Sequence, residues 1–548
     1  MKWKKLEHNG ILFPPDFETK EIKIKIKGEM VDLNINQEEM VYQWAKKKDT
    51  PYAQDKVFQK NFVADFAKTF DNKYKKLELI DIDFKNAFRL VDEEKDAKEL
   101  LTKEEKKALA LKRKELREEM KRKFGEGKMD GKEVEIANYM AEPPGIFIGR
   151  GEHPLRGKWK PKVTSKDVIL NLGKEAKVPK GDWKKVVHDK ESMWMASWTD
   201  YLTQKRKYVW LADTAGIKQD RDKAKYDKAK MLAGEIETVK NKIVKDMGNK
   251  DAKIRRISTV CWLIYRTAMR VGDEKDPEEA DTVGATTLRK EHVTLTSNSI
   301  KFDFLGKDSV RWQETVPTVG NDKQFHENLK ELTLKIKPTD EIFGNLTSRD
   351  VNEYYKTVVD GLTAKVFRTF SASTVVSKYL NENGDVKRRS QMEKLYHAKL
   401  ANLEAAKMCN HKRTIPKTFE QSLQKKRDTL KTIEKATPWK KNEESLKKEE
   451  SKKGSSIKIL KIKERIRKSK KKHKERVEKL KFQLDLSEKT RDYNLGTSLR
   501  NYIDPRIFKS WTDEVTADWK KLYTSALQKK FLWVRSENEP WQNVSKYY

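Results

Sequence analysis

A strongly basic segment at about residues 415–486 restricts the fold most, because a stretch so rich in lysine cannot fill a packed core. Residues 421–486 carry a net charge of about +14. Apolar side chains recur there at helical spacing, at Ile459, Ile462 and Ile466 and again at Val477, Leu480 and Leu484. Gly454-Ser455-Ser456 predicts a reversal between helices, and Pro438 predicts a break in the first half. The periodicity favours an antiparallel helical arm projecting into solvent over the alternative, a disordered lysine-rich tail.

The charge of the whole chain points to a polyanionic partner. The 548 residues include 121 Lys and Arg against 86 Asp and Glu, which gives a formal net charge of +35. A field of that sign attracts polyanions and speeds their encounter with the protein. A merely soluble basic protein is the alternative, although solubilising charge is usually mixed and near balance. The length allows several domains, and 36% apolar residues indicate real cores joined to a long solvated segment.

Several classes of protein are disfavoured by what the sequence lacks. Its two cysteines, Cys261 and Cys409, form no disulfide framework and fit a reducing compartment. No His/Cys cluster has zinc spacing, so we predict no metal. No apolar run reaches the roughly 18 residues of a membrane span, and the N-terminus lacks the apolar core of a signal peptide. We also find no nucleotide-binding loop and predict no cofactor.

Hydrophobic periodicity predicts a mixture of strands and helices. Residues 22–33 alternate apolar with charged side chains, which predicts a strand pair turning at Gly28. Residues 37–124 have a helical pattern, and 99–124 predicts one long exposed helix ended by Gly125 and Gly127. Further strands are predicted at 167–172, 193–198, 207–211, 293–296 and 299–305, and further helices at 222–271, 351–362 and 372–379.

A Pro/Gly-rich loop at 142–154 places Arg150 between two glycines. Glycine lets a backbone approach a ligand closely, so one interpretation is a loop lying against a bound polyanion. Taken alone, the residues favour the alternative, an ordinary surface turn.

The most reactive candidate is Tyr502, in Gly-Thr-Ser-Leu-Arg-Asn-Tyr-Ile-Asp-Pro-Arg at 496–506. Most tyrosines are structural, and a phenol with a pKa of about 10 is mostly neutral at pH 7. Adjacent cations would favour phenolate character as the oxygen attacks phosphorus. A nucleophilic role for Tyr502 therefore requires cations brought to it from elsewhere in the chain.

Four upstream side chains could supply those cations and donors. Arg270 and Arg368 carry planar, always-charged guanidinium groups that bind phosphate oxygens in pairs. The small residues around them, such as Gly272, suggest backbone packed near a ligand. His411 stands beside two basic residues, and Lys307 follows a predicted strand, which indicates a hairpin loop. Taken singly, each also fits a structural role: a surface cation, a buried histidine or a generic turn.

These residues lie in sequence motifs that resemble those of the eukaryotic-type DNA topoisomerase IB family. The motifs are Ala-Met-Arg-Val-Gly-Asp-Glu-Lys at Arg270, Phe-Leu-Gly-Lys-Asp-Ser at Lys307, Leu-Thr-Ala-Lys-Val-Phe-Arg-Thr at Arg368, Cys-Asn-His-Lys-Arg at His411 and the stretch around Tyr502. Lys-Trp-Lys-x-Leu-Glu-His at 2–8, Glu-Pro-Pro-Gly at 142–145, Ala-Asp-Thr-Val-Gly at 280–284 and Pro-Lys-Thr-Phe-Glu at 416–420 match as well. The resemblance covers almost the whole chain.

The resemblance implies an ATP-independent enzyme that breaks and rejoins one DNA strand. Tyr502 would form a 3′-phosphotyrosyl link, Arg270, Arg368 and His411 would bind non-bridging phosphate oxygens, and Lys307 would protonate the leaving 5′-oxygen. The residues that would contact DNA are Arg150, Lys218, Asp273, Lys275, Thr282, Asp308, Lys365, Thr497 and Asn501. The partner would be double-stranded DNA, preferably supercoiled, bound by a monomer. The compartment would be the nucleus or another that replicates DNA, with no secretion and no membrane.

The resemblance also implies an α+β multidomain fold that forms a two-lobed clamp around DNA. Residues 1–226 would form a cap lobe, and 227–414 a mainly helical catalytic domain of the tyrosine recombinase/topoisomerase IB type. Residues 415–486 would form the basic arm, and 487–548 would carry the active-site tyrosine.

The sequence departs from the family in three places. The family's large members begin with a long charged region, whereas here the match begins at residue 2, which bears on nuclear targeting. Ile148 stands where the family commonly has arginine, and Asp273 where asparagine is usual.

Two other functions remain open: a site-specific tyrosine recombinase with a similar catalytic set, and a non-catalytic DNA-binding clamp. The arm between His411 and Tyr502 favours the topoisomerase.

Overall fold

The computed structural model describes residues 3–149, 152–272, 283–306, 310–383, 386–416, 418–452 and 455–548. The chain divides into two compact units, of which the first runs through Arg221 and the second begins at Asp222. Both helices and sheets are present, so the predicted α+β class is confirmed.

The first unit is built around an antiparallel sheet with one parallel edge pair. Its strands are β1 (Leu6–His8), β2 (Ile24–Ile26), β3 (Glu29–Val31), β4 (Ile82–Asp83), β5 (Glu126–Met129), β6 (Lys132–Ala137), β7 (Gly145–Ile146), β8 (Trp159–Lys160), β9 (Ile169–Asn171), β10 (Lys185–Val187), β11 (Trp194–Thr199) and β12 (Arg206–Leu211). Its helices are α1 (Ile35–Ala45), α2 (Lys56–Ala67), α3 (Lys85–Leu100) and α4 (Lys103–Phe124). Seven strands form the order β1-β5-β6-β12-β11-β9-β10, in which only β9 and β10 pair in parallel. A separate sheet, β3-β2-β4, packs with α1 and α2 around Trp44, Phe58 and Phe62.

Two predictions fail around the long exposed helix. The helix predicted from residue 99 begins at Lys103, because the Thr102 hydroxyl and the Glu105 side chain cap each other's backbone amides there. Gly127 does not end it but lies in β5, where a Cβ would meet the Glu7 carbonyl oxygen at 2.7 Å. That close approach of strand β1 explains the glycine, and sequence periodicity did not predict β5 and β6.

The second unit is mainly helical. Its helices are α5 (Gly216–Met247, which starts before the unit does), α6 (Ala252–Thr267), α7 (Asp322–Thr333), α8 (Ser348–Val358), α9 (Ala364–Asn383), α10 (Gln391–Met408), α11 (Phe419–Lys435), α12 (Lys440–Ser451), α13 (Ser456–Lys489), α14 (Leu495–Asn501), α15 (Pro505–Glu514), α16 (Ser525–Lys530) and α17 (Trp541–Val544). Strands β13 (Val293–Leu295), β14 (Ser299–Gly306) and β15 (Val310–Pro317) form an antiparallel meander. The helix predicted over 222–271 is two helices, because Asp251 caps a new one after Gly248.

The basic segment is helical and folds back on itself. Three ion pairs, Lys463–Glu450, Lys470–Glu443 and Lys481–Glu434, show α13 running antiparallel to α12 and α11. The break predicted at Pro438 falls between α11 and α12, and Ile462 and Ile466 are buried as their spacing indicates. Gly454 of the predicted reversal lies outside the described residues. None of the helices in the described ranges is long and apolar enough to cross a bilayer.

Candidate active site

The backbone brings His411 to the helix that precedes Tyr502. The amide of Asn494 donates to the His411 carbonyl at 2.7 Å, and the amide of Arg413 donates to the Asp492 carbonyl at 2.8 Å. These bonds flank an isolated antiparallel bridge between Lys412 and Tyr493. The segment that precedes the basic helices α11–α13 therefore pairs with the segment that follows them. The chain enters and exits these three helices at adjacent points.

The loop that carries Tyr502 is fixed to α9 and α5. Helix α14 begins behind the Asn494 cap and ends at Tyr502. The Ser373 hydroxyl on α9 donates to the Tyr502 carbonyl at 3.4 Å and accepts from the Asp504 amide at 3.0 Å. The ammonium of Lys225 on α5 donates to the Asn501 carbonyl at 3.3 Å. The Tyr502 backbone is thus held from both sides while its ring remains half-buried.

Arg368 is a buried cation against the face of Tyr502. Its side chain is on α9, and its guanidinium carbon lies 4.7 Å from the centroid of the tyrosine ring, a cation–π distance. One terminal nitrogen donates to the Cys409 carbonyl at 2.8 Å. The Nε is buried and has no acceptor among the described residues. A buried donor without a partner is costly, so this one is available to a ligand.

His411 is a neutral imidazole stacked on the same tyrosine. The two ring centroids lie 5.4 Å apart with 27° between the planes. Nδ1 lies 2.8 Å from the Ser498 hydroxyl, and the buried Nε2 has no partner within the described ranges. Burial, together with the charges of Arg368 and Arg270, lowers the pKa of His411 to about 3. His411 is therefore uncharged at neutral pH and can act only as a neutral donor or acceptor.

Arg270 is placed by a tight backbone crossing after α6. Ala268 ends that helix in the left-handed conformation, and the Arg270 carbonyl accepts from the Ala285 amide at 2.8 Å. A Cβ on Gly284 would lie 2.4 Å from the Cα of Gly272, so the two glycines let their backbones cross. This crossing gives Gly272 a structural reason to be glycine, and the suggestion that its backbone lies near a ligand stays a prediction.

A cleft opens beside Arg270 and Arg368. Its lining includes Arg270, Arg368, Phe304, Gly306, Val310, Trp312, Cys409 and Asn410. Gly306 and Val310 pair at the described end of β14 and β15, which agrees with a hairpin there, while Lys307 itself lies outside the described residues. The side-chain amide of Asn410 donates to the Arg311 carbonyl at 3.2 Å and so connects β15 to the loop that carries His411.

The other predicted DNA contacts are distributed as follows. Arg150, Asp273, Lys275, Thr282 and Asp308 lie outside the described residues. Lys218 pairs with Asp213 at 3.6 Å in the first unit. Lys365 is exposed on α9, one turn before Arg368, whereas Thr497 and Asn501 are half-buried on α14. In the second unit, Lys365, Thr497 and Asn501 thus lie on the two helices that carry Arg368 and Tyr502.

Two polar residues of the site were missed by sequence reasoning. Ser498 precedes Tyr502 by one helical turn, a spacing that could have indicated a shared face. Lys225 stands in a run of charged residues on α5 and gives no sequence signal. Burial lowers the pKa of Lys225 to about 8, with Asp222 opposing the shift and Lys530 adding to it.

Three family models match the chain in succession. They describe the DNA binding fragment of eukaryotic DNA topoisomerase I (residues 1–211), its catalytic core (214–444) and a C-terminal topoisomerase domain (474–543). DNA topoisomerase 1 of Homo sapiens is 33% identical over 548 residues, which cover 97% of this chain and 71% of the human protein. The chain belongs to the eukaryotic DNA topoisomerase I family. The resemblance found in the sequence is thereby confirmed.

The plant members of the topoisomerase I family match as well. DNA topoisomerase 1 alpha of Arabidopsis thaliana is 36% identical and DNA topoisomerase 1 beta is 34% identical, each over 550 residues and 97% of this chain. The chain spans 58% of the length of each of these two relatives. In this chain, Arg270, Arg368, His411 and Tyr502 all lie in the second unit.

Proposed function

We propose that this chain is an ATP-independent type IB topoisomerase, which relaxes supercoiled DNA by transient cleavage of one strand through a 3′-phosphotyrosyl intermediate. The observation that carries the proposal is the packing of Arg368 and His411 against Tyr502, at 4.7 Å and 5.4 Å from its ring centroid. A phenol held among buried donors with no acceptor of their own suits attack on a phosphodiester. Membership in the topoisomerase I family favours this function over a recombinase or a non-catalytic clamp.

In the proposed step the Tyr502 hydroxyl loses its proton to solvent as its oxygen bonds to phosphorus. The bond from phosphorus to the 5′-oxygen breaks, and Lys307 would protonate that oxygen. Negative charge grows on the non-bridging oxygens, and donors fixed beforehand lower the barrier because they need no reorganisation. Arg368 offers its Nε, Arg270 adds a second guanidinium, and neutral His411 adds an Nε2 donor. The tyrosyl ester conserves the bond energy, so the 5′-hydroxyl can reseal the strand without ATP.

The proposed partner is double-stranded DNA, bound by a monomer in a two-lobed clamp. The cap lobe would comprise residues 1–226, the catalytic domain 227–414, the arm 415–486 and the tyrosine-bearing domain 487–548. The net charge of +35 supports this partner, since neutralised phosphates release counterions. The remaining predicted contacts, including Lys218 and Lys365, would lie along the DNA backbone. A nucleus or other DNA-replicating compartment follows from the substrate.

Relaxation of a supercoiled plasmid tests the proposal. The purified chain should produce a ladder of topoisomers in the absence of ATP and in the presence of EDTA. The recombinase alternative predicts activity only on a defined site, and the clamp alternative predicts retarded but still supercoiled DNA. Either result would contradict the proposed function.

Lys307→Ala should slow cleavage of a normal substrate far more than cleavage of one with a 5′-sulfur leaving group. A thiolate leaves as an anion and needs no proton donor, so general-acid catalysis is dispensable for it. Single-turnover cleavage of the two duplexes measures the difference. Lys301→Ala is the matched control, because Lys301 is exposed on β14 of the same hairpin. Equal slowing of both substrates would leave Lys307 as a DNA contact only.

Replacing residues 429–481 with a flexible linker of about six residues should preserve cleavage. The deletion keeps the pairs that fasten the base of the helices, Lys426 with Ser487 at 2.8 Å and Arg427 with Glu488 at 2.6 Å. It also keeps Phe482, whose ring lies 4.7 Å from that of Tyr396. The bridge between Lys412 and Tyr493 then still closes the loop beside His411.

The same deletion should weaken retention on DNA. It removes most of the segment's net positive charge, so the enzyme should dissociate sooner at a given salt concentration. Plasmid relaxation at rising salt should change from processive to distributive at lower salt than for the full chain. The slope of log affinity against log salt should become shallower, because fewer phosphates are neutralised. Loss of cleavage on a short duplex would instead make the arm part of the active-site scaffold.

A further inference from the structure

Ser498 connects the candidate nucleophile to the histidine beside it. It lies on α14, the helix that ends at Tyr502, and is fully buried. Its hydroxyl oxygen is 2.8 Å from Nδ1 of His411. The short helix α14 thus carries the group that contacts Nδ1 of His411, and Tyr502 follows directly at its C-terminal end.

The partner at Nδ1 decides what the other ring nitrogen can do. A neutral imidazole carries one N–H, so Nε2 is a donor only when Nδ1 is an acceptor. A serine hydroxyl can donate to Nδ1 and so permits the tautomer that carries its proton on Nε2. The free Nε2 is buried with no partner in the described part of the chain, and it lies in the field of Arg368 and Arg270. Charging the ring to obtain two donors is disfavoured by the same burial and the same cations.

We propose that Ser498 is a positioning residue that holds His411 as its Nε2–H tautomer by donating a hydrogen bond to Nδ1. The proposal rests on the proposed function, in which that Nε2–H meets a non-bridging phosphate oxygen. Helix α14 is docked by the side-chain amide of Asn402, which donates to the Leu495 carbonyl at 3.1 Å, and by the backbone amide of Asn494, which donates to the His411 carbonyl. Packing of α14 in this position therefore both places Tyr502 at the site and orients His411 as a donor beside the two arginines.

Kinetics of two variants test the connection. Ser498→Ala should lower the single-turnover cleavage rate by roughly 10- to 100-fold, the range for removing a group that orients an active-site ligand. Ser498→Thr keeps the hydroxyl and should recover part of the rate. In a His411→Ala background, Ser498→Ala should have no further effect, because the serine acts through the histidine. Ser377→Ala is the control, since it removes a buried, unpartnered hydroxyl on α9.

The tautomer can be observed directly by ¹⁵N NMR of labelled histidine. The chain has eight histidines, and the spectrum of His411→Ala assigns the signal of His411. With a short duplex bound to the Tyr502→Phe variant, the proposal predicts a protonated Nε2 and an unprotonated Nδ1. Adding Ser498→Ala should shift the population toward the other tautomer.

Three results would overturn the inference. One is a cleavage rate for Ser498→Ala equal to that of the unmodified chain, and another is an equal loss in both His411 backgrounds. The third is a protonated Nδ1 in the bound state. If the unmodified chain relaxes no plasmid, the proposed function fails, while the NMR measurement still decides the role of Ser498.

Discussion

Tyr502→Phe is expected to abolish plasmid relaxation and to leave DNA binding nearly unchanged. Only the phenolic oxygen is lost, so the ring still stacks on His411 and still faces the Arg368 guanidinium. The backbone bonds from Ser373 and Lys225 do not involve the hydroxyl. Relaxation assays at enzyme excess, with binding measured by fluorescence anisotropy on a short duplex, separate the two effects.

Tyr523→Phe is the matched control for that change. Its hydroxyl is buried without a partner in the described chain, so its removal should affect neither activity nor binding. Residual relaxation by Tyr502→Phe at the unmodified rate would show that another tyrosine is the nucleophile. Loss of binding together with activity would show that the hydroxyl supports the fold rather than the chemistry.

Arg368→Ala and Arg270→Ala are each expected to slow cleavage by roughly 10²–10³-fold, the effect of losing one donor to a transition-state oxyanion. Affinity for DNA should fall far less, because it is spread over many basic side chains. Arg368→Lys should remain impaired, since an ammonium keeps the charge but not the planar array of donors. Single-turnover cleavage at saturating enzyme gives the rate, and a separate titration gives the affinity.

Arg388→Ala provides the charge-matched control, because Arg388 is exposed in the connection between α9 and α10. It should alter affinity slightly and the cleavage rate not at all. A variant at Arg270 or Arg368 that binds poorly but cleaves at the normal rate when saturated would remove that arginine from the transition state.

Sequence periodicity predicted the helices of the basic segment correctly but failed for two elements of the first unit. Ile462 and Ile466 are buried where helical spacing places them, and the helix breaks around Pro438. The same reasoning failed at Gly127, because a glycine needed for strand contact looks locally like a helix terminator. It also misplaced the start of α4, where two side chains, Thr102 and Glu105, cap the helix.

Sequence motifs identified the candidate residues of the site but did not predict which of them are in contact. Nothing in the sequence places His411 against Tyr502, because their meeting depends on backbone pairing between segments far apart in the chain. The neutrality of His411 is also a tertiary effect: its neighbours in the sequence are basic, yet burial and two distant arginines depress its pKa. The packing of Gly272 against Gly284 is likewise a tertiary contact that the local sequence does not indicate.

The most direct test of metal-free attack by Tyr502 is to trap the covalent intermediate and identify its residue. A duplex whose scissile strand ends a few nucleotides beyond the cleavage site loses its 5′-hydroxyl fragment and cannot reseal. With EDTA present, a 5′ label on that strand should become attached to the protein, and trypsin should release it on the peptide of residues 501–506, modified at Tyr502. Attachment at a different residue, attachment through a 5′ end, or no adduct without a divalent cation would contradict the mechanism.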